Sequence, residues 1–221
     1  MKKVRIWDLP LRLFHWSLAF IVIAAIVAQK IGGNAMEWHF RFGYAALALV
    51  AFRIVWGFVG PRYARFSSFL YGPSTIIGYM RGGKAALQQH LGHNPLGSLS
   101  VFALLATVLA QAGSGLFAND DIASEGPLVK FISKDLSDTI TDFHKDVSGT
   151  LIYILIGLHL AAIVYYAVRR RRNLVKPMIM GDDEVEFDAV PANDSAATRL
   201  LALVLLAACA AGVWWLINVQ P

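Results

Sequence analysis

The stretch HKDVSGTLIYILIGLHLAAIVYYAV, residues 144–168, decides the fold. From Val147 to Val168 it carries no charge, and about 20 apolar residues at 1.5 Å each cross a hydrocarbon layer about 30 Å thick. One histidine, His159, lies inside the run, and another, His144, stands just before it. An ionisable residue within a membrane is costly and usually faces a functional interior. The two are fifteen residues apart. At about 100° per residue this leaves an offset of about 60° after four turns, so they point broadly the same way, about 22 Å apart along the helix.

Outward from this segment, four further apolar runs have membrane-spanning length: Leu11–Ala28, Phe42–Val59, Leu96–Phe117 and Leu200–Val219. The first follows a basic Met-Lys-Lys-Val-Arg start. Its apolar core is longer than that of a signal peptide, it contains Arg12 and His15, and no small-x-small cleavage site follows, so we read it as a retained helix. The expected fold is an all-α membrane protein: a four-helix transmembrane bundle over residues 1–180, an acidic linker over 181–197 and an additional transmembrane helix over 198–221.

Composition agrees. Of 221 residues 57% are hydrophobic and 16% charged, whereas soluble domains carry about 25% charged residues. This excludes a disordered chain and argues against an ordinary soluble enzyme. The single cysteine, Cys209, excludes an intrachain disulfide, a Cys-based zinc site, an Fe–S cluster and covalent CxxCH haem attachment. Metal chemistry therefore falls to histidine.

Lysine and arginine counts orient the chain, because cytoplasmic loops retain an excess of them. With the N-terminus inside, fifteen lie on inner segments, among them Arg5, Arg12, Arg53 and Arg169 to Arg172, against five outside, namely Lys30, Arg41, Lys130, Lys134 and Lys145. The expected location is a bacterial inner membrane with a cytoplasmic N-terminus. The net charge of +5 reads as topology, and nothing in the chain reads as a nucleic-acid surface. A short amphipathic stretch around Ile76–Leu91 is expected to lie along the membrane surface. The outer loop 118–143 is acidic and suits a basic partner, and residues 182–195 read as a flexible linker.

In this topology His39 and His144 share an outer layer, and His15 and His159 an inner one. Paired imidazoles from facing helices are what a six-coordinate haem iron takes as axial ligands, and helix bundles build cofactor sites in this way. Two stacked, non-covalent haems, ligated by His15, His39, His144 and His159, would carry electrons across the bilayer. Arg12 and Arg53 near the inner layer, and Arg41 near the outer, are candidate partners for haem propionates. His90 and His93 read as loop or helix-start residues with a further possibility of proton delivery.

The stretches VRIWDLPLRLFHWSLA (4–19), WHFRFGY with FRIVWGFVGPRYARF (38–66), GHNPLGSLSVFALL (92–105) and the helix-four pair ending in LHLAAIVYY resemble bacterial di-haem cytochrome b proteins. These are the cytochrome b-561 group that includes the b-type cytochrome subunit of Ni-Fe hydrogenases. The resemblance implies a four-helix haem b bundle over about residues 1–180, with ligand positions matching His15, His39, His144 and His159. It also implies electron exchange between an outer redox protein, such as a Ni-Fe hydrogenase or a c-type cytochrome, and membrane quinone. The family's helix-four pair is commonly spaced by fourteen, one less than here, and the fifth helix is an addition. A self-sufficient quinone oxidoreductase fed by a small species such as superoxide, and a haem-free transporter or assembly protein, are the competing classes. No nucleotide or flavin fingerprint supports direct NAD(P)H oxidation.

Overall fold

The computed structural model describes residues 2–82, 90–121 and 124–220. Among them are the helices α1 (Leu9–Ile31), α2 (Met36–Val59), α3 (Pro73–Met80), α4 (Pro95–Gly115), α5 (Lys134–Asp142), α6 (Gly149–Arg169), α7 (Val175–Met180) and α8 (Ala196–Ile217). Among the described residues five helical segments are long and apolar enough to cross a membrane: Leu9–Ile31, Gly33–Val59, Pro95–Gly115, Lys134–Arg169 and Ala196–Ile217. They match the five runs expected from hydropathy. Phe20, Ile23 and Val27 on α1 and Leu200, Leu203 and Val204 on α8 are exposed, as lipid-facing side chains are.

Chain contacts divide the molecule into two compact units. The first comprises Met1–Leu13, Arg53–Ala103 and Gly157–Leu203. Here β1 (Lys2–Arg5) pairs antiparallel with β2 (Asp182–Val185), with Arg5 opposite Asp182 and Lys3 opposite Glu184. Opposite charges at facing positions set this register. Arg5 also donates to the Asp182 side chain at 2.5 Å and to that of Asp194 at 2.8 Å. The segment expected to be flexible is thus anchored at both ends, because its acidic groups meet basic partners from the N-terminus. Gly181 ends α7 with φ 92°, in the left-handed region where glycine is at ease, and its carbonyl accepts the N–H groups of Ile6 and Trp7. A Cβ there would approach the Trp7 carbonyl oxygen to 2.9 Å.

Two helix starts in this unit are capped by the residues just before them. Asp8 Oδ1 accepts the Leu11 N–H at 3.0 Å, and Asn94 Oδ1 accepts that of Gly97 at 2.8 Å, with Pro95 at the first helical position of α4. The amphipathic stretch expected over 76–91 is helical as far as Met80, and its residues 83–89 lie outside the described residues.

The second unit comprises Phe14–Phe52, Leu104–Ile156 and Val204–Pro221. Leu47, Ala48, Leu116, Leu128 and Val213 form its buried cluster, so α8 packs against α2 and the segment after α4. The polar stretch before the fourth apolar run is helical too: α5 begins at Lys134, capped by Ser133, and runs through a π-helical turn, Phe143–Ser148, into α6. A π-turn holds more residues than an α-turn, so rotation at 100° per residue does not apply across it.

Candidate functional site

His39, in the second turn of α2, and His144, in the π-turn, come together in the second unit. Their ring centroids lie 6.2 Å apart with perpendicular planes. His39 Nδ1 lies 2.9 Å from the Ala25 carbonyl oxygen on α1. A carbonyl only accepts, so this nitrogen carries the proton and Nε2 keeps its lone pair. The same logic holds for His144, whose Nδ1 donates to the Gln111 carbonyl oxygen at 3.0 Å. With Nδ1 protonated, the nitrogen that each neutral imidazole would offer a metal is Nε2, and each ring is oriented by a carbonyl behind it.

At this separation the two imidazoles would be able to serve one metal ion. Among the described residues no group of three or more His, Cys, Asp or Glu side chains is arranged to hold a metal ion. A two-histidine site of this kind suits a metal whose remaining ligands come from a macrocycle, and the residues present fit haem.

α4 supplies the wall behind His144. Gly115 is its last residue, and a Cβ there would meet His144 Cε1 at 3.0 Å, so the imidazole rests closely on a surface that glycine leaves open. Gln111, one turn earlier, and the adjacent Ser114 bond the same ring. The Gln111 side-chain nitrogen lies 3.0 Å from Nε2 and Ser114 Oγ 3.1 Å from Nδ1, while Ser148 Oγ donates to Gln111 Oε1. The sequence reading passed over these residues. A glutamine in a largely apolar membrane helix was the available sign, since such a group needs an internal partner.

The other expected site residues are placed as follows. His15 is half-buried on α1, edge-on to the Trp16 ring with centroids 5.1 Å apart. His159 is half-buried on α6, in the first unit. Arg12 donates from Nη1 to the Ile179 carbonyl at the end of α7. Arg41 is exposed, paired with Glu37 one turn before it and 4.9 Å over the Trp38 ring.

Arg53 is 2% exposed, with its guanidinium 4.7 Å over the Phe66 ring, and its Nη1 has no hydrogen-bond partner among the described residues. Fully buried Asp8 acts on it electrostatically. Burial pushes the Asp8 carboxyl above the usual range, opposed by hydrogen bonds from Leu11 N–H and Trp56 Nε1. His93 lies between Trp7 and Phe69, with ring centroids 4.8 and 4.4 Å away. His90 borders a cavity of about 530 Å³ with Arg62, Tyr63, Ser68, Tyr71 and Val190.

The chain is similar in sequence to known proteins. Three relatives carry the name probable Ni/Fe-hydrogenase B-type cytochrome subunit. Those of Azotobacter vinelandii and Azotobacter chroococcum mcd 1 are 26% and 25% identical, with 80% of this chain and 87% of theirs covered. That of Rhizobium leguminosarum bv. viciae is 22% identical, covering 82% and 89%. No solved structure matches the chain. The description prokaryotic cytochrome b561 fits residues 6–181, a span that includes all four of the bundle histidines and stops short of α8. This is a membrane protein that transfers electrons through b-type haem, and the chain belongs to the prokaryotic cytochrome b561 family.

Proposed function

We propose that the chain relays electrons across a bacterial inner membrane, through two non-covalent b haems, between a redox protein on the outer side and the quinone pool. The observation that carries the reading is the His39–His144 pair, 6.2 Å apart with both Nδ1 atoms on carbonyl acceptors. His39 and His144 hold the outer haem. The sequence register of His15 and His159 assigns them the inner one. Haem supplies one-electron chemistry without proton uptake; the protein supplies the ligands, their tautomers and a dry surround.

The N-terminus is cytoplasmic in this reading, following the basic bias of the segments on that side. Three relatives are named as subunits of Ni/Fe-hydrogenase, which supports a hydrogenase as the outer partner, with a c-type cytochrome as the alternative donor or acceptor. Asp135, Asp142 and Asp146 are exposed on the segment facing that side and suit basic groups on the partner. Arg53, buried and with an unused Nη1, is available to a propionate of the inner haem. Arg12 serves the same layer in this assignment, and Arg41 lies by the outer one. Quinone binds on the cytoplasmic side, where the cavity bordered by His90 and Tyr71 offers aromatic walls and an imidazole.

The test is haem stoichiometry combined with ligand replacement. Pyridine haemochrome assay of the purified chain should give two haems, and His39→Ala or His144→Ala one. His15→Ala and His159→Ala should each remove the other haem. A wild-type value of one, or full retention in His144→Ala, overturns the assignment.

A further inference from the structure

Gln111 contacts both nitrogens of His144, by two different groups. Its backbone carbonyl takes the Nδ1 proton at 3.0 Å, and its side-chain nitrogen lies 3.0 Å from Nε2. Because Nδ1 holds the proton, Nε2 has only a lone pair to offer, and the amide N–H is the donor to it. The amide's orientation is fixed from its other end, since Ser148 donates to Oε1. Ser148 is 1% exposed, and its oxygen is also 3.3 Å from the carbonyl oxygens of Phe143 and His144. The π-turn thus carries both the histidine and the hydroxyl that aims the glutamine at it.

This lone pair is the one that a metal would use. A buried imidazole nitrogen without a partner costs free energy, and the amide removes that cost only while no metal is bound. We propose that Gln111 is a placeholder for the haem iron: its amide occupies the ligating nitrogen of His144 and yields it when haem enters between His39 and His144. The inference rests on the reading of those two histidines as an axial pair. Gln111 is a positioning residue. It keeps the haem-free site from collapsing or rotating the ring, at the cost of competing with haem for one nitrogen. The carbonyl on Nδ1 stays in place in both states, and Gly115 keeps the ring seated.

The competition has a direction. Removing the amide penalises only the haem-free state, so haem binds more tightly and the haem-free protein alone loses stability. The test uses the full chain produced in a haem-deficient host, held in lipid nanodiscs and titrated with hemin, in a His159→Ala background that leaves the His39–His144 site alone. Gln111→Leu should bind hemin about tenfold more tightly, as expected for one hydrogen bond made only in the haem-free state. Its melting temperature should fall without hemin and match the parent with it. Ser148→Ala, which leaves the amide but removes its anchor, should move both readouts the same way by about a third as much on a logarithmic scale, and it stands in if the leucine variant does not fold. Unchanged or weaker hemin binding, or equal loss of stability with and without hemin, overturns the proposal. His144→Ala separates the two levels. If it binds hemin as its parent does, the ligation reading falls and the placeholder with it; if it does not bind and Gln111→Leu is unchanged, only the placeholder falls.

Discussion

The backbone N–H of Leu9, the first residue of α1, donates to the side chain of Asp194 at 3.1 Å across 185 positions of sequence. Helix starts are usually capped by a neighbour, as Asp8 does for Leu11 here. Asp194 also accepts from Arg5 at 2.8 Å and from Arg199 at 3.0 Å. One carboxylate therefore joins the start of α1 to β1 and to the start of α8. The fifth helix is attached at this end through charge, and in the second unit through Val213 in the apolar cluster.

Removing that carboxylate should loosen the junction. Asp194→Ala is expected to cost about 1–3 kcal/mol, a lost cap together with two charge-assisted hydrogen bonds, and Asp194→Asn less, since an amide oxygen still caps Leu9. Thermal unfolding in detergent measures both. The same group makes stability depend on pH. Burial raises the Asp194 carboxyl, but hydrogen bonds from Arg199 and Leu9 and the charge and hydrogen bond of the arginines outweigh it, leaving the group below its usual range. A carboxyl lowered in the folded state adds stability that is complete above its unfolded value of about 3.9 and is lost as pH falls through the folded value. The melting temperature should thus drop more steeply below about pH 4 in the wild type than in Asp194→Asn. Parallel curves would show that Asp194 contributes nothing through its charge.

Gly115 leaves room for the His144 ring. A Cβ 3.0 Å from Cε1 requires the imidazole to give by a few tenths of an ångström, and a branched side chain requires more. Gly115→Ala should retain haem with an altered EPR signal from one haem only, and Gly115→Val should lose that haem. Equal haem content in glycine and valine forms, with unchanged spectra, would mean that the ring does not sit against α4 in the loaded protein.

The spans were legible because a membrane helix declares itself by length and apolarity alone. The closeness of His39 and His144 was legible because topology puts both at one end of neighbouring spans. The helical stretch from Lys134 was not, since KDLSDTITD is polar and reads as a loop until its buried Ser137 and Thr141 are seen to share one face. The ribbon β1–β2 was hidden for a related reason: KKVR and DDEV have no apolar alternation, and they pair through charge. Gln111, Ser114 and Ser148 act through geometry across the π-turn, which residue-by-residue rotation does not anticipate.

Arg53 should act on the potential of the haem assigned to His15 and His159. A buried cation stabilises the more negative, reduced state of a nearby centre, and at 2% exposure little water screens it. Replacing it by leucine should lower that haem's midpoint by roughly 60 mV, the one-electron equivalent of about 1.4 kcal/mol. Arg53→Lys should recover part of the loss. Because Asp8 is buried close enough to act on the guanidinium, Asp8→Asn should shift the potential upward. Potentiometric titration of both variants decides it, and a shift of the same sign in Arg53→Leu and Asp8→Asn would show that packing, not charge, is at work.

His90 should matter for quinone and not for haem. It borders the cavity of about 530 Å³, its ring centroid lies 5.9 Å from that of Tyr71 and 5.6 Å from that of Tyr79, and its carbonyl accepts from Arg172. A quinone ring needs apolar walls, and its reduction needs a proton donor that recharges near neutral pH, a task suited to an imidazole. His90→Ala should keep two haems by pyridine haemochrome assay while quinol-driven haem reduction slows at least tenfold, a typical loss for a proton-transfer group. His90→Gln should keep quinone binding better than alanine and slow reduction similarly, because an amide hydrogen-bonds but does not titrate. Loss of a haem in His90→Ala would reassign a ligand and overturn the topology. Unaltered quinol kinetics with both haems present would move the quinone to the opposite end of the bundle, beside Glu37 and His39.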